Sequence, residues 1–278
     1  MMSLKKTLTL AGSDTSGGSG IQADLKTFQE HGTYGMTALT CIVTMDPKAG
    51  WKHNVFPIET STVESQLKCA FSVGLDAMKT GMLGSVEIVE LGAKYIEKHN
   101  LKNVVIDPVM VCKGEDEVLL PETVDAAREL LLPKAIITTP NLFEAGQLSK
   151  LGKIKTIDDM KNAAHRIYEF GAKNVVIKGG RAFEHNKAVD LFYDGKSFVL
   201  LETDKLDTSY NHGAGCTFAA AITANLANGK NIADAVFHAK EFVTTAILHG
   251  WKLNEFVGPV MHGAYNRFPK SVTVTTEQ

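Results

Sequence analysis

LKKTLTLAGSDTSGGSGIQADLKTFQE, residues 4–30, decides the fold. Residues 4–11, with an apolar run over 7–11 behind Lys5-Lys6, predict a strand. A polar, glycine-rich loop follows over 12–20. Residues 21–30 then place Ile21, Leu25 and Phe28 on one helical face. The order is strand, loop, helix.

The same order recurs along the chain. Strands are predicted over 36–45, 77–79, 103–106, 135–138 and 174–177. Helices are predicted over 63–73, 86–99, 123–132 and 157–170. Short strands alternating with amphipathic helices imply an α/β fold with a mostly parallel central sheet covered on both faces. Residues 189–193 and 197–201 flank Asp194-Gly195, a hairpin signal. Helices over 217–227 and 232–249 complete the pattern. There is no linker, repeat or low-complexity tract, so residues 1–278 are read as one domain.

Composition narrows the function. Lys and Arg number 29 against 31 Asp and Glu, a formal net charge of −2. A nucleic-acid footprint needs a basic surplus, so none is expected. No stretch has the length of a membrane span. The four cysteines, Cys41, Cys69, Cys112 and Cys216, are scattered and form no C-x-x-C pair, which disfavours zinc and fits a reduced, cytoplasmic protein.

Parallel sheets bind ligands beyond the carboxyl ends of their strands. The residues at those positions are Asp14, Lys79-Thr80-Gly81, Asp107, Asn141 with Glu144, and Lys178-Gly179-Gly180. To these the sequence adds Gly213-Ala214-Gly215-Cys216 at a helix start. Free N–H groups and the helix dipole there favour an anion, and glycine lets the backbone approach it. That turn is either a phosphate cradle or a structural turn with a buried thiol. As a cradle it is expected to lower the Cys216 pKa. Asn141 and Glu144, one helical turn apart, either hold Mg²⁺ or form a capping box. Lys178-Gly179-Gly180 reads as a nucleotide contact or as a turn. Residues 107–117, long and charged, read as a flap or as a surface loop. No G-x-x-x-x-G-K-[ST] or G-x-G-x-x-G occurs, which disfavours Walker-type and dinucleotide folds.

Six segments carry a resemblance: AGSDTSGGSGIQADLKTF at 11–28, KTGMLGS at 79–85, VIDPVM at 105–110, TPNLFEA at 139–145, VIKGG at 176–180 and HGAGCTFAAAI at 212–222. Over essentially its whole length the chain resembles the ribokinase-like superfamily. The branch is that of hydroxymethylpyrimidine (phosphate) kinases and the pyridoxine/pyridoxal kinases related to them. The resemblance implies a ribokinase-like three-layer α/β/α fold, MgATP as phosphoryl donor and a homodimer. It places Asn141, Lys178, Gly179, Gly180, Arg181, Ala182, Asp190, Gly215 and Lys240 around ATP, Glu144 at Mg²⁺, and the anion hole at 213–216. Cys216 stands where many relatives in the superfamily carry an aspartate base; the thiol is either the base or part of the anion hole.

Pyrimidine kinases of this branch have a Gln-Asn-Thr run after the second strand, and its glutamine reads the aminopyrimidine. Ile42 is taken to stand at that glutamine's place. An apolar side chain would leave the aminopyrimidine's polar edge unsatisfied. With Met45-Asp46-Pro47, this resembles the pyridoxine/pyridoxal kinase offshoot. The implied activity is ATP-dependent phosphorylation of the 5′-hydroxymethyl group of B6 vitamers (pyridoxine, pyridoxal, pyridoxamine). The alternative is hydroxymethylpyrimidine (phosphate) kinase. Asp14, Ile42, Met82, Asp107, Val109 and Cys112 are the expected vitamer contacts. Cys112 is also assigned a catalytic role, as a flap thiol adding reversibly to the pyridoxal aldehyde.

Overall fold

The structure is a computed structural model that describes residues 4–110 and 121–277. Ten strands form one sheet: β1 (Lys6–Asp14), β2 (Tyr34–Asp46), β3 (Lys52–Pro57), β4 (Ala77–Thr80), β5 (Val104–Ile106), β6 (Ile137–Thr138), β7 (Val175–Gly180), β8 (Lys187–Tyr193), β9 (Phe198–Asp204) and β10 (Thr275–Glu277). Their spatial order is β10-β9-β8-β7-β6-β5-β4-β1-β2-β3. The six strands β2, β1, β4, β5, β6 and β7 run parallel, and β3, β8, β9 and β10 add antiparallel margins.

Two helical layers cover the sheet. One holds α1 (Gly20–Glu30), α7 (Ala214–Ala227) and α8 (Ile232–Leu248). The other holds α2 (Thr60–Ser72), α3 (Val86–Lys98), α4 (Pro121–Ala126), α5 (Leu142–Ser149) and α6 (Ile157–Glu169). The short α9 (Ala264–Arg267) packs on α8. The expected three-layer α/β/α fold is present. The core strands are continuous apolar runs because both of their faces are covered: Val104, Val105 and Ile106 are at most 1% exposed.

Two departures have physical causes. The helix predicted over 123–132 opens at Pro121, loosens into a π turn at Ala127–Leu131 and tightens to a 3₁₀ turn at Leu132–Lys134. Pro133 has no N–H, and its ring opposes a continuing α-helix. Strand β3 was not expected, because Lys52–Pro57 is mostly exposed and has no apolar alternation. Pairing with β2, not its own pattern, makes it a strand.

The topology sets the site. β1 lies between β2 and β4, and the chain leaves β1 through α1 on one face but leaves the β2–β3 hairpin through α2 on the other. Such a reversal opens a crevice beyond the carboxyl ends of the strands. A bulge in β2 at Thr40–Cys41, opposite Gly12, and another in β7 at Gly179 bend the sheet at those same ends.

Candidate active site

A cleft of about 500 Å³ occupies the crevice. Of the residues singled out in the sequence, Asp14, Met82, Asp107, Val109, Asn141, Glu144, Lys178, Gly180, Arg181, Asp190, Gly213, Ala214, Gly215, Cys216 and Lys240 line it. Cys112 and residues 111–117, the part of the expected flap that carries it, lie outside the described residues.

Three expected contacts are not on the wall. Ile42 is on β2, where side chains alternate, and it points away from the cleft at 37% exposure. Val43 and Met45 face inward, joined by His53 of β3, which pairs with Met45. The apolar feature assigned to Ile42 therefore belongs to Met45 and Val43. Gly179 sits in the β7 bulge, where a Cβ would meet the Val189 carbonyl at 2.5 Å; it permits strand pairing and does not reach the cleft. Ala182 is exposed beyond the end of β7 and is off the wall.

The turn before α7 is built by close backbone packing. Gly213 is the N-cap, with φ of 83° and no side-chain cap. The helix that follows is alanine-rich and buried on nearly all sides; Ala214 N donates to the Asn211 carbonyl at 3.1 Å, no side chain caps the helix start, and residues 213–216 line the cleft. Loop 14–19 clasps this turn. The Asp14 carboxylate accepts from Ser16 N (2.8 Å), Ser16 Oγ (2.7 Å), Ser19 N (2.8 Å), Ser19 Oγ (2.9 Å) and His212 Nε2 (2.7 Å). Burial alone would raise its pKa. The hydrogen bonds from His212 and Ser16 outweigh that and hold the carboxyl well below the usual range. Asp14 thus organises the loop and has little capacity left for a substrate. His212, read from sequence as a turn residue, is its hydrogen-bond partner.

His262 Nε2 donates to the Gly18 carbonyl at 3.2 Å. Burial, with the nearby Lys26 charge, pushes its pKa down to about 4. The unfolded chain takes the proton more readily, so stability present above pH 6.5 is lost as pH falls towards 4. The loss is expected to be on the order of 2–3 kcal/mol. Urea titrations at pH 7 and pH 4.5 measure it, and His262→Asn is expected to flatten that component.

Across the cleft floor runs a row of alternating charges. Lys79 Nζ is 3.0 Å from Asp24 Oδ1 and 4.0 Å from Asp107 Oδ2, and both ends of the Lys79–Asp24 pair are fully buried. Lys178 Nζ is 3.0 Å from Asp107 Oδ1, and Thr139 Oγ1 donates to the same oxygen. Burial opposes the Lys79 charge, but Asp24 more than compensates, and the ammonium is held above the usual lysine range. Glu144 follows Lys178 in the row. It also closes the capping box with Asn141, through N–H bonds of 2.8 and 2.9 Å, while it lines the cleft. Burial pushes Glu144 up to about 7, Lys178 pulls it down, and Asp107 pushes it up again.

Cys216 departs from the expected lowered pKa. Burial, reinforced by the Asp24 and Asp107 charges and only partly offset by Lys79, pushes the thiol up to about 11. Desolvation outweighs the helix start.

The opposite end of the cleft is framed by α8. Buried Lys240 donates to Asp190 Oδ2 at 2.8 Å and to the Ala188 carbonyl at 3.2 Å, while Gly180 N donates to Asp190 Oδ1 at 3.2 Å. Apolar Val243 and Ile247 form the adjoining wall. Lys178 Nζ lies 3.4 Å from where a Cβ on Gly215 would be. An ammonium thus sits beside an uncapped helix start, with carboxylates behind it.

A glycine-rich helix start, flanked by lysines and carboxylates at the mouth of a parallel sheet, is the arrangement a small-molecule kinase needs. The chain belongs to the phosphomethylpyrimidine kinase family, whose profile matches residues 14–261. It is 58% identical to the pyridoxine kinase of Bacillus subtilis, over 95% of this chain and 97% of that protein. It is 40% identical to the hydroxymethylpyrimidine/phosphomethylpyrimidine kinase of the same organism, over 96% and 97%. The pyridoxal kinase of Staphylococcus aureus, solved in complex with AMP-PCP and pyridoxal, superposes with a TM-score of 0.94 at 55% identity, each chain covered to 99%.

Proposed function

We propose that this enzyme transfers the γ-phosphoryl group of ATP to the 5′-hydroxymethyl group of pyridoxine, pyridoxal and pyridoxamine. The observation that carries this reading is the union of the 213–216 turn with an apolar acceptor wall, Val43 and Met45, in one cleft. The 58% identity to a pyridoxine kinase, against 40% to a pyrimidine kinase, supports the same choice. ATP lies along Asn141, Lys178, Gly180, Arg181, Asp190, Gly215 and Lys240. The vitamer lies towards Met82, Val109, Val43, Met45 and His53.

The donors fit Mg²⁺. Among the described residues no group of three or more His, Cys, Asp or Glu side chains gathers in one place. Mg²⁺ needs none, since it is commonly held by one or two carboxylates together with substrate phosphates. Glu144, whose burial disfavours an isolated charge, and Asp107 would hold it. When bound, the ion neutralises charge on the phosphates. Lys178 and the N–H groups of the 213–216 turn stabilise the phosphoryl group in flight. Cys216 takes the hydroxymethyl proton once its own has left.

Two further expectations belong to this reading. The homodimer has apolar surface available, since Ile42, Val55 and Phe56 are 37–55% exposed on β2 and the edge strand β3. Cys41, Cys69 and Cys216 are free thiols, which suits a reducing cytoplasm. Among the described residues no helix is long and apolar enough to cross a membrane.

Met45 gives the substrate choice a direct test. Met45→Gln supplies an amide on the cleft-facing side of β2, where a glutamine could pair with an aminopyrimidine. It is expected to shift the ratio of kcat/KM for hydroxymethylpyrimidine over pyridoxal upward by about tenfold or more. Ile42→Gln, facing away, is expected to leave the ratio unchanged. The reverse pattern would restore Ile42 as the reader.

A further inference from the structure

The β2–β3 hairpin carries Val43, Met45 and His53 into the acceptor end of the cleft. β3 is an edge strand, and its exposed residues do little to fix it. At the hairpin tip, Trp51 stacks on Phe256, with centroids 5.9 Å apart and planes at 17°. Trp51 is held there against two costs. Its φ is 66°, a left-handed value rare for a bulky side chain. Its buried indole N–H has no hydrogen-bond partner among the described residues.

Phe256 sits on a connection that is itself well fixed. Leu253 N donates to the Val257 carbonyl and Trp251 N to the Pro259 carbonyl, each at 3.1 Å. Asn254 Oδ1 accepts from both Phe256 N and Val257 N at 2.9 Å. The connection then joins the residue preceding the anion turn: His212 N donates to the Gly258 carbonyl, and Val260 N donates to the His212 carbonyl. Phe256 is still 47% exposed and Trp251 is 50% exposed, so this connection presents apolar surface.

We infer that the Trp51–Phe256 stack is a latch that pins the β2–β3 hairpin over the acceptor end of the cleft. Trp51 and Phe256 are then positioning residues for the phosphoryl acceptor, and they tie its wall to the turn that binds the donor's phosphate. This rests on the vitamer lying against Val43, Met45 and His53. Releasing the latch loosens the acceptor wall but leaves the nucleotide end, framed by Asp190 and Lys240, in place.

The test compares the full-length enzyme with Phe256→Ala and Phe256→Tyr. Amide hydrogen exchange over residues 46–53, without ligands, is expected to be faster in Phe256→Ala and parental in Phe256→Tyr. The KM for pyridoxal is expected to rise about three- to tenfold in Phe256→Ala, the range that loss of an aromatic pair allows. The KM for ATP is expected to stay within about twofold, and Phe256→Tyr to restore the pyridoxal value. Unchanged exchange over 46–53 in Phe256→Ala overturns the latch. So does an equal rise in both KM values that Phe256→Tyr does not reverse. Should the parent enzyme phosphorylate no B6 vitamer, the functional reading falls by itself, and the exchange comparison still decides the latch.

Discussion

Gly213→Ala is expected to lower kcat about 10²- to 10³-fold, the cost typical of losing a preorganised oxyanion donor. The cause is local. Gly213 has φ of 83°, and an added Cβ would lie 1.7 Å from the Gly18 carbonyl oxygen and 3.4 Å from Ser19 Cα. Either loop 14–19 or the start of α7 must move. Loop 14–19 is held by Asp14 through five hydrogen bonds, one of them from His212 next to the turn. The shift therefore falls on the start of α7, where the proposed phosphoryl site lies. Gly229→Ala separates this effect from backbone strain alone: Gly229 also has positive φ, at 87°, but a Cβ there meets nothing within 4 Å. That variant is expected to lose some stability and keep its kcat. Steady-state kinetics with a thermal melt of each variant measure both. A folded Gly213→Ala enzyme with parental kcat would mean that the turn does not stabilise the phosphoryl group.

Cys216 carries the second large effect. With the thiol pushed up to about 11, the thiolate fraction at pH 7 is about one in 10⁴. Below that pKa each pH unit multiplies the thiolate about tenfold. A rate that depends on the thiolate is therefore expected to rise about tenfold per unit between pH 6 and pH 9. Cys216→Ala is expected to be about 10²-fold slower at pH 8, with a profile that has lost this slope. Parallel profiles for parent and variant would remove the proton from Cys216 and leave the side chain as lining of the anion turn.

The sequence made the strand ends legible because each parallel strand is a short apolar run stopped by a polar or glycine residue. Asp107 after Val104–Ile106 and Lys178 near the end of β7 were found that way. What it concealed was partnership across long separations. Lys79 was legible as a strand-end residue, but not that it is fully buried, nor that its partner is Asp24, 55 residues away. His212 looks like a turn residue, yet it pairs with Asp14 across 198 residues. Met45 was missed because the facing of a strand depends on which side the core covers. Cys41 and Val43 are buried and Ile42 is not, and that alternation would have selected Met45 had the core side been known. β3 left no signal because its pairing with β2, not its composition, makes it a strand. The Cys216 shift ran against the helix-start rule because burial, which the local motif does not reveal, outweighs it.

The measurement that bears most directly on the account is a side-by-side assay of ATP consumption with pyridoxal and with hydroxymethylpyrimidine as acceptors, together with identification of the phosphorylated product. The account predicts ADP formed in step with pyridoxal 5′-phosphate, and a kcat/KM for pyridoxal at least about tenfold above that for hydroxymethylpyrimidine. A preference for the pyrimidine, or no phosphorylated vitamer at all, would contradict it.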